Sequence, residues 1–513
     1  VSVAFNNMPG DIRVPLFYAE VNAGVPPYSG TSRLLLIGRK LAGGSATPMT
    51  ARNLGSSDPT TLFGAGSMLA DMAIAARWHN PVGEIWVLPV TDPAGAVAAT
   101  GTIAITGTAT AAGTLVRYIA GERVSAPVAI GDTAAVVATN LVAAIGRGFT
   151  KYGRAMSHPV TASASTGTVT LTARHAGTEG NAIRVEAGLD GDEVDPAGLT
   201  VTIASATLTG GSGDIDMATA LASLGAEPFD WIAGPYASTA HLNAVQSFLS
   251  DSGSGRWSPT VGLDGHYITY LNGNLSTLTS FGAGRNDRHV TIKGALNSPN
   301  TPWLHAAIDG AITAFSKNLG RSISEAVEIA RPLHTLVKQG IRPPKASSDR
   351  WAVADRDSLY RNGIAADVVR ADGRVAIDRM VTTYRSNDWG QPDITFLDVE
   401  TLAIAAYVKR YLKTRITSLY PRHVLKDDNP RNVQGIVTPK QIRAALIHAY
   451  RELFEAGLVE KPELFAQYLI VERSGDPNRV NAYLPVDVAN QFRVFAANIT
   501  IFPELNESIA ALQ

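Results

Sequence analysis

The chain's ten histidines include no His-Glu-x-x-His helix and no other spacing that would turn two imidazoles onto one metal ion. Asp264, His266, Ser280 and Ser298 supply the side-chain types of a serine hydrolase. A nucleophilic serine, however, is lifted toward its base by a strained strand-to-helix turn, and no Gly-x-Ser-x-Gly motif occurs. His266, beside Tyr267, reads as a residue at a strand edge. Gly64, Gly66 and Ser67 loosely resemble a phosphate-binding loop, but no Gly-Lys-Ser/Thr follows to neutralise a phosphate, so the segment reads as the start of a helix. Gly282 and Gly284 sit in a Gly-Ala-Gly turn that lacks the rest of a dinucleotide fingerprint. Cysteine is absent, which removes thiolate nucleophiles, disulfides and thiolate-bound clusters. The residues therefore give no catalytic, cofactor-binding or metal site.

Charge is more informative than nucleophiles. Between Ala405 and Lys426 there are six basic side chains and no acidic one: Lys409, Arg410, Lys413, Arg415, Arg422 and Lys426. The stretch His448–Asp476 is acid-rich, with Glu452, Glu455, Glu460 and Glu463 among its carboxylates. Two solvated helix faces account for this pattern. So does a basic surface that meets an acidic one on a neighbouring subunit or an inner partner, where charge sets register more than affinity.

These side chains must be positioned by 513 residues, enough for about three domains. Net charge is −1, which removes the simplest case for a nucleic-acid or polybasic membrane protein. No apolar run approaches the ~18–20 residues of a spanning helix, and no basic stretch followed by an apolar core marks a secretory leader. Charged residues make up 17% of the chain, against roughly 25% in an average domain. The deficit is uneven: residues 96–210 hold 15 charges, whereas residues 346–513 hold 42. A boundary is expected near Pro343-Pro344.

Within 96–210, Val169, Leu171 and Ala173 alternate with threonines, and Thr102–Thr110 alternates in the same way, so strands are expected. Asp132 is expected to cap a helix through Val136, Leu141 and Ile145. This region reads as a β-rich inserted domain or, alternatively, as one long β-rich flap. The flanks alternate strand and helix: Leu34–Gly38, a helix over Thr60–His79, Glu84–Val90, Phe229–Ile232, Thr239–Leu249, and Val261–Leu263 or Ile268–Tyr270. That order predicts a mostly parallel sheet covered on both faces. Farther on, Asp398 is placed to cap a helix through Leu402, Val408 and Leu412. Thr438, Pro439 and Gln441 form a helix-start signature, and Gly457 is placed to stop that helix. With strands at Val375–Tyr384, Tyr468–Glu472 and Val494–Phe502, the C-terminal part reads as α+β. Ile12–Val21 is extended. Both terminal segments either complete their own sheet or add a strand to a neighbour's.

Residues 1–22 resemble the N-terminus of Mu-like phage tail sheath proteins, and 375–416 resemble the start of that family's C-terminal domain. The segments 128–145 and 169–183 resemble the group's inserted outer domain. The likeness covers essentially the whole chain in the same order. It implies an α/β and α+β multidomain protein: an N-terminal extended arm (1–29), an α/β subtilisin-like middle domain (30–95 and 211–345) interrupted by a β-rich insertion (96–210), an α+β C-terminal sheath domain (346–490) and a C-terminal arm (491–513).

The resemblance further implies a non-enzymatic homo-oligomer of stacked hexameric rings, helically related around a tail tube protein, that contracts to drive the tube through a cell envelope. Baseplate and tail terminator proteins would be further partners. No cofactor, nucleic acid or membrane insertion is implied, and the setting would be a virion's contractile tail, assembled in the host cytoplasm. Ile12, Val14, Leu16 and Phe17, with Val494, Phe495, Ile499 and Ile501, become candidates for strand exchange between subunits. The six basic residues become candidates for contact with the tube or a neighbour, and Glu452, Glu455, Glu460 and Glu463 for contact with a neighbour. The alternatives from other classes are a hydrolase on a subtilisin-like core and an outer binding or adhesin module.

Overall fold

The computed structural model describes residues 30–191 and 193–501. The described residues divide into two compact units, one of residues 33–317, 328–403 and 489–501, the other of 30–32, 318–327 and 404–488.

The larger unit is built on an eight-stranded sheet. Its strands are β1 (Arg33–Arg39), β2 (Arg52–Asn53), β3 (Glu84–Val90), β4 (Trp231–Ala233), β5 (His266–Asn272), β6 (Val290–Ala295), β7 (Ile364–Val369) and β8 (Val375–Arg379). Their spatial order is β8-β7-β6-β5-β4-β1-β3-β2. The strands from β3 across to β7 run parallel, and β2 and β8 close the edges antiparallel. The sheet therefore continues past Pro343-Pro344, where composition changes.

The reason for the parallel sheet lies in runs such as Leu34-Leu35-Leu36-Ile37, all fully buried. A strand that is apolar on every residue needs cover on both faces. Leu35 and Ile37 share a core with Leu242 and Val245 of α2 (Thr239–Leu249) and Leu278 of α3 (Leu275–Ala283). The opposite face carries α1 (Met68–His79) and α4 (Pro302–Ser316). There, Gly310 of α4 lies so close to the sheet that a Cβ on it would sit 2.7 Å from the Ala233 Cβ.

The helix expected over Thr60–His79 is two helices, Pro59–Phe63 and α1, broken at Gly64 and Gly66. Both glycines have positive φ, and Ser67 caps α1 by accepting from the Ala70 N–H at 3.2 Å. A Cβ on Gly66 would lie 2.7 Å from the His158 carbonyl oxygen, so this turn is shaped by close packing of the insertion. The strand alternative Val261–Leu263 does not form, and Ile268–Tyr270 falls within β5.

The insertion follows β3. Ala98–Gly107, Val160–Ser165, Thr168–Ala176 and Leu199–Ile203 form a four-stranded antiparallel sheet, and Gly113–Ile119, Glu122–Val128 and Val185–Glu186 a three-stranded one. Burial alternates strictly along Thr168–Ala176, as expected. The helix Ala134–Arg147 begins after Thr133. Asp132 does not cap it, because its carboxylate accepts from the Ala129 N–H at 2.7 Å and closes the preceding turn. Buried Arg39 ties the insertion to the main sheet, with Nη2 at 2.7 Å from Glu179.

Asp71 on α1 is also buried. Burial pushes its carboxyl up to about 7 from an ordinary 3.8, against the pull of Lys151. The folded state therefore holds this proton more tightly than the unfolded state. The resulting stability is complete below about pH 4 and is lost as pH rises through 7, a difference of about 4 kcal/mol. Asp71→Asn, which cannot ionise, is expected to raise the unfolding temperature at pH 8 and to leave it nearly unchanged at pH 4. Equal shifts at both values in differential scanning fluorimetry would rule out this account.

In the smaller unit, α5 (Val399–Leu419, of which 404–419 belong here) and α6 (Pro439–Glu455) are joined by Pro462–Tyr468 and a hairpin of β9 (Ile470–Arg473) and β10 (Val480–Tyr483). The α6 start forms as expected: Thr438 Oγ1 accepts from the Gln441 N–H at 3.3 Å, and Gln441 Oε1 accepts from the Thr438 N–H at 2.9 Å. Gly457 follows its end with φ of 75°. Tyr450 stacks on Phe465 with ring centroids 3.7 Å apart. No helix among the described residues is long and apolar enough to cross a membrane.

Candidate functional site

The side chains that resemble catalytic groups do not form a catalytic site. His266 is not at a strand edge. It opens β5 in mid-sheet, is buried, and its Nε2 lies 2.8 Å from Thr291 Oγ1. Burial holds its pKa down near 3. Ser280 is exposed on α3.

Ser298 instead meets a histidine that sequence reasoning passed over, His305 of α4, at 2.8 Å from Nε2. The other nitrogen decides the chemistry. His305 Nδ1 lies 2.9 Å from the Lys338 ammonium, which has only protons to offer. Nδ1 must accept, so Nε2 carries the hydrogen and donates to Ser298. A general base needs the reverse tautomer, and this serine is not activated.

The same lysine belongs to a buried cluster. Lys338 Nζ reaches Asp309 at 2.7 Å and Asp367 at 2.8 Å, and Lys293 Nζ reaches the same two carboxylates at 2.9 and 2.5 Å. His305, Asp309 and Asp367 bring ligand atoms within 4.8 Å of one another, a spacing that suits a cation. Two ammonium groups already fill that role and balance the two carboxylates. Burial raises the Asp367 carboxyl pKa, but the two lysines outweigh it and hold the value lowered. Burial depresses Lys293, and the two aspartates more than reverse the effect. One signal was available in the sequence: Val-Thr-Ile-Lys-Gly-Ala sets a lysine inside a strand otherwise apolar enough to be buried.

The candidate site is therefore the exposed surface. Val494, Phe495, Ile499 and Ile501 are each about four-fifths exposed, with values from 79% to 86%. Residues 490–501 form neither helix nor strand and enter no ladder among the described residues, which corrects the expected strand over Val494–Phe502 for the residues described. Their apolar, mostly β-branched side chains favour a pleated surface, but no strand among the described residues pairs with them. Ile12, Val14, Leu16 and Phe17 lie outside the described residues.

In the smaller unit, β9 and β10 form a sheet of two strands with Ile470 and Tyr483 paired in register and both exposed. Two strands alone are marginal, and among the described residues no further strand pairs with their outer edges, where a strand could be added.

The charged candidates separate. Lys409, Lys413, Arg422 and Lys426 are exposed, and Arg410 and Arg415 are half-buried. Glu455, Glu460 and Glu463 are exposed. Arg415 and Glu452, however, pair within the chain at 3.3 Å, and Tyr411 donates to the same carboxylate at 2.7 Å. One basic and one acidic candidate thus join α5 to α6.

Residues 210–383 match the family described as phage tail sheath protein central domain, and residues 391–502 match the phage tail sheath C-terminal domain. The chain belongs to the phage tail sheath proteins, a family of structural proteins and not of enzymes. It is 36% identical over 503 residues to the Mu-like prophage FluMu tail sheath protein of Haemophilus influenzae, covering 97% of this chain and 99% of that protein.

Among solved structures it is similar to a sheath tail protein of Desulfitobacterium hafniense, at 12% identity and TM-score 0.47, covering 92% of this chain and 97% of the other. It is also similar to the helical sheath of the anti-feeding prophage in its contracted state, at 12% identity and TM-score 0.43, covering 97% and 99%.

Proposed function

We propose that the chain is the repeating subunit of a contractile tail sheath, assembled as stacked hexameric rings around a tail tube and contracting to drive the tube through a target envelope. The observation that carries this reading is the apolar tail around Val494–Ile501, exposed and in no ladder among the described residues. Burying such a side chain is worth about 1.5–3 kcal/mol, so a partner that covers the segment gains a large driving force.

The tail adds as a strand to the two-stranded sheet of a neighbouring subunit, and the amino-terminal residues Ile12–Phe17 do the same. The parallel sheet with helices on both faces suits a subtilisin-like middle domain, and the insertion projects outward. Lys409, Lys413, Arg422 and Lys426 face the tube or a neighbour, with baseplate and tail terminator proteins closing the ends. Assembly takes place in the host cytoplasm, and the product is part of the virion. Main-chain pairing tethers subunits through large rigid-body motion, and exposed ion pairs re-form at little cost in a second arrangement.

Purified full-length protein, concentrated and negatively stained, is expected to show long hollow tubes. A persistent monomer by imaging and by light scattering would count against the reading.

A further inference from the structure

Strand exchange leaves two features of the larger unit without a role. The first is the loop Tyr384–Phe396. Asn286 Oδ1 accepts from the N–H groups of Arg385 and Ser386 at 2.8 and 3.1 Å, and Asn286 Nδ2 donates to the Ser386 carbonyl at 2.9 Å. Asn387 Oδ1 accepts from the N–H groups of Trp389 and Gln391 at 3.1 and 3.0 Å. Phe396 packs edge-on to Tyr384 and lies 4.5 Å beneath the Arg288 guanidinium. The loop is thus held from inside and from its base, yet Trp389 at its tip is 84% exposed. A fixed, exposed tryptophan loses little freedom on binding and is the residue type most enriched among binding anchors.

The second feature is a cleft of about 830 Å³ at the carboxyl ends of β4, β5 and β6, closed on one side by the insertion. Tyr236, Phe281, Leu296 and Pro302 give it apolar walls, and Glu179, Arg184 and Asp214 also line it. His241 lines it and is only 5% exposed. The His241 Nε2 lies 3.2 Å from the Ile215 carbonyl oxygen and must donate to it. This leaves Nδ1 as a bare acceptor, and it has no partner. The Asn272 side-chain oxygen, also on the cleft, is buried without a partner too. A buried acceptor without a donor costs about 1–3 kcal/mol. The cleft can therefore take a bulky group that has an apolar face and carries an N–H.

The two features lie at opposite ends of the strands of one sheet. Asn286 precedes β6 at its amino end, whereas the cleft is at the carboxyl ends, one strand length or about 20 Å away. Trp389 therefore cannot fill the cleft of its own chain. A contact that joins opposite ends of identical molecules is heterologous and propagates as an open filament. We propose that Trp389 of one copy docks in the cleft of the next, with its indole N–H donating to His241 Nδ1 or the Asn272 oxygen. This contact rests on the self-assembly proposed above and would act beside strand exchange.

The chain has no cysteine, so a full-length variant with Asp388→Cys and Thr277→Cys can form disulfides only at those sites. On oxidation of its polymers, a ladder of dimers, trimers and higher species is expected on denaturing gels. A mixture of the two single-cysteine variants should stop at dimers. Adding Trp389→Ala should cut the ladder by more than about tenfold while leaving the monomer's unfolding temperature unchanged.

Tubes without a ladder would overturn the contact and leave the sheath reading standing. If neither tubes nor ladder form, both fall. If the engineered cysteine at 277 is shielded from a thiol reagent in the monomer until residues 1–29 are deleted, the cleft belongs to the amino-terminal segment and the contact is overturned.

Discussion

A chain ending at Arg493 is expected to fold as a monomer and to form no polymer. The deletion removes Val494, Phe495, Ile499 and Ile501, none of which contributes to a ladder or a core in the described residues. It spares Arg493, whose guanidinium lies 3.0 Å from Glu400 and 3.1 Å from Asp398. Stability of the isolated subunit should therefore change by less than about 0.5 kcal/mol, as for surface changes away from packed features. Assembly should be lost altogether, because each subunit interface would lose several buried apolar side chains worth about 1.5–3 kcal/mol apiece, besides the main-chain pairing. Sedimentation velocity and negative-stain imaging of the same preparation read both outcomes. Normal tubes from the truncated chain would remove the C-terminal segment from the interface. An unfolded product would mean that the segment belongs to the subunit's own core.

The second large effect is inside the subunit. Lys293→Met is expected to cost about 3–5 kcal/mol, because it leaves the buried Asp309 and the largely buried Asp367 facing the single ammonium of Lys338. Lys293 and Asp309 are fully buried and 2.9 Å apart, so water cannot take the place of the missing charge. The companion variant Lys293→Met/Asp367→Asn removes one charge of each sign and keeps Lys338 and Asp309 paired at 2.7 Å. It should recover a substantial part of the loss. Urea denaturation of these two variants and of Asp367→Asn alone measures the difference. If the double variant is as unstable as the sum of the single ones, charge balance is not what the cluster supplies.

Both predictions rest on features with very different legibility. Leu34–Ile37 announced a buried strand because four consecutive apolar residues bounded by polar ones fit little else. Thr438, Pro439 and Gln441 announced a helix start because capping needs only neighbours within one turn. The start of α1 at Ser67 was readable for the same reason, although the break at Gly64–Gly66 was not, since the packed insertion fixes that turn. Val494–Ile501 has the composition of a strand, yet composition describes how a segment suits a pleated surface and says nothing of who supplies the partner. The partner of Glu452 within the chain was not legible for a different reason. Its helix was read correctly, but which side of α6 meets α5, and so which carboxylate Arg415 reaches, depends on packing between segments 37 residues apart.

Local patterns and whole-chain order were thus enough to determine the strand and helix segments with strong periodicity, the missing catalytic motifs and the resemblance to tail sheath proteins. Those properties depend on neighbours in sequence, or on similarity summed along its length. Only the tertiary structure decided that Ser298 faces a histidine held in the unreactive tautomer, that Lys293 and Lys338 fill the space between Asp309 and Asp367, and that the loop carrying Trp389 is held at one end of the strands with an acceptor-bearing cleft at the other. Each of these depends on distances between residues far apart in the chain, which are set by how the parallel strands stack and by where the insertion closes over them.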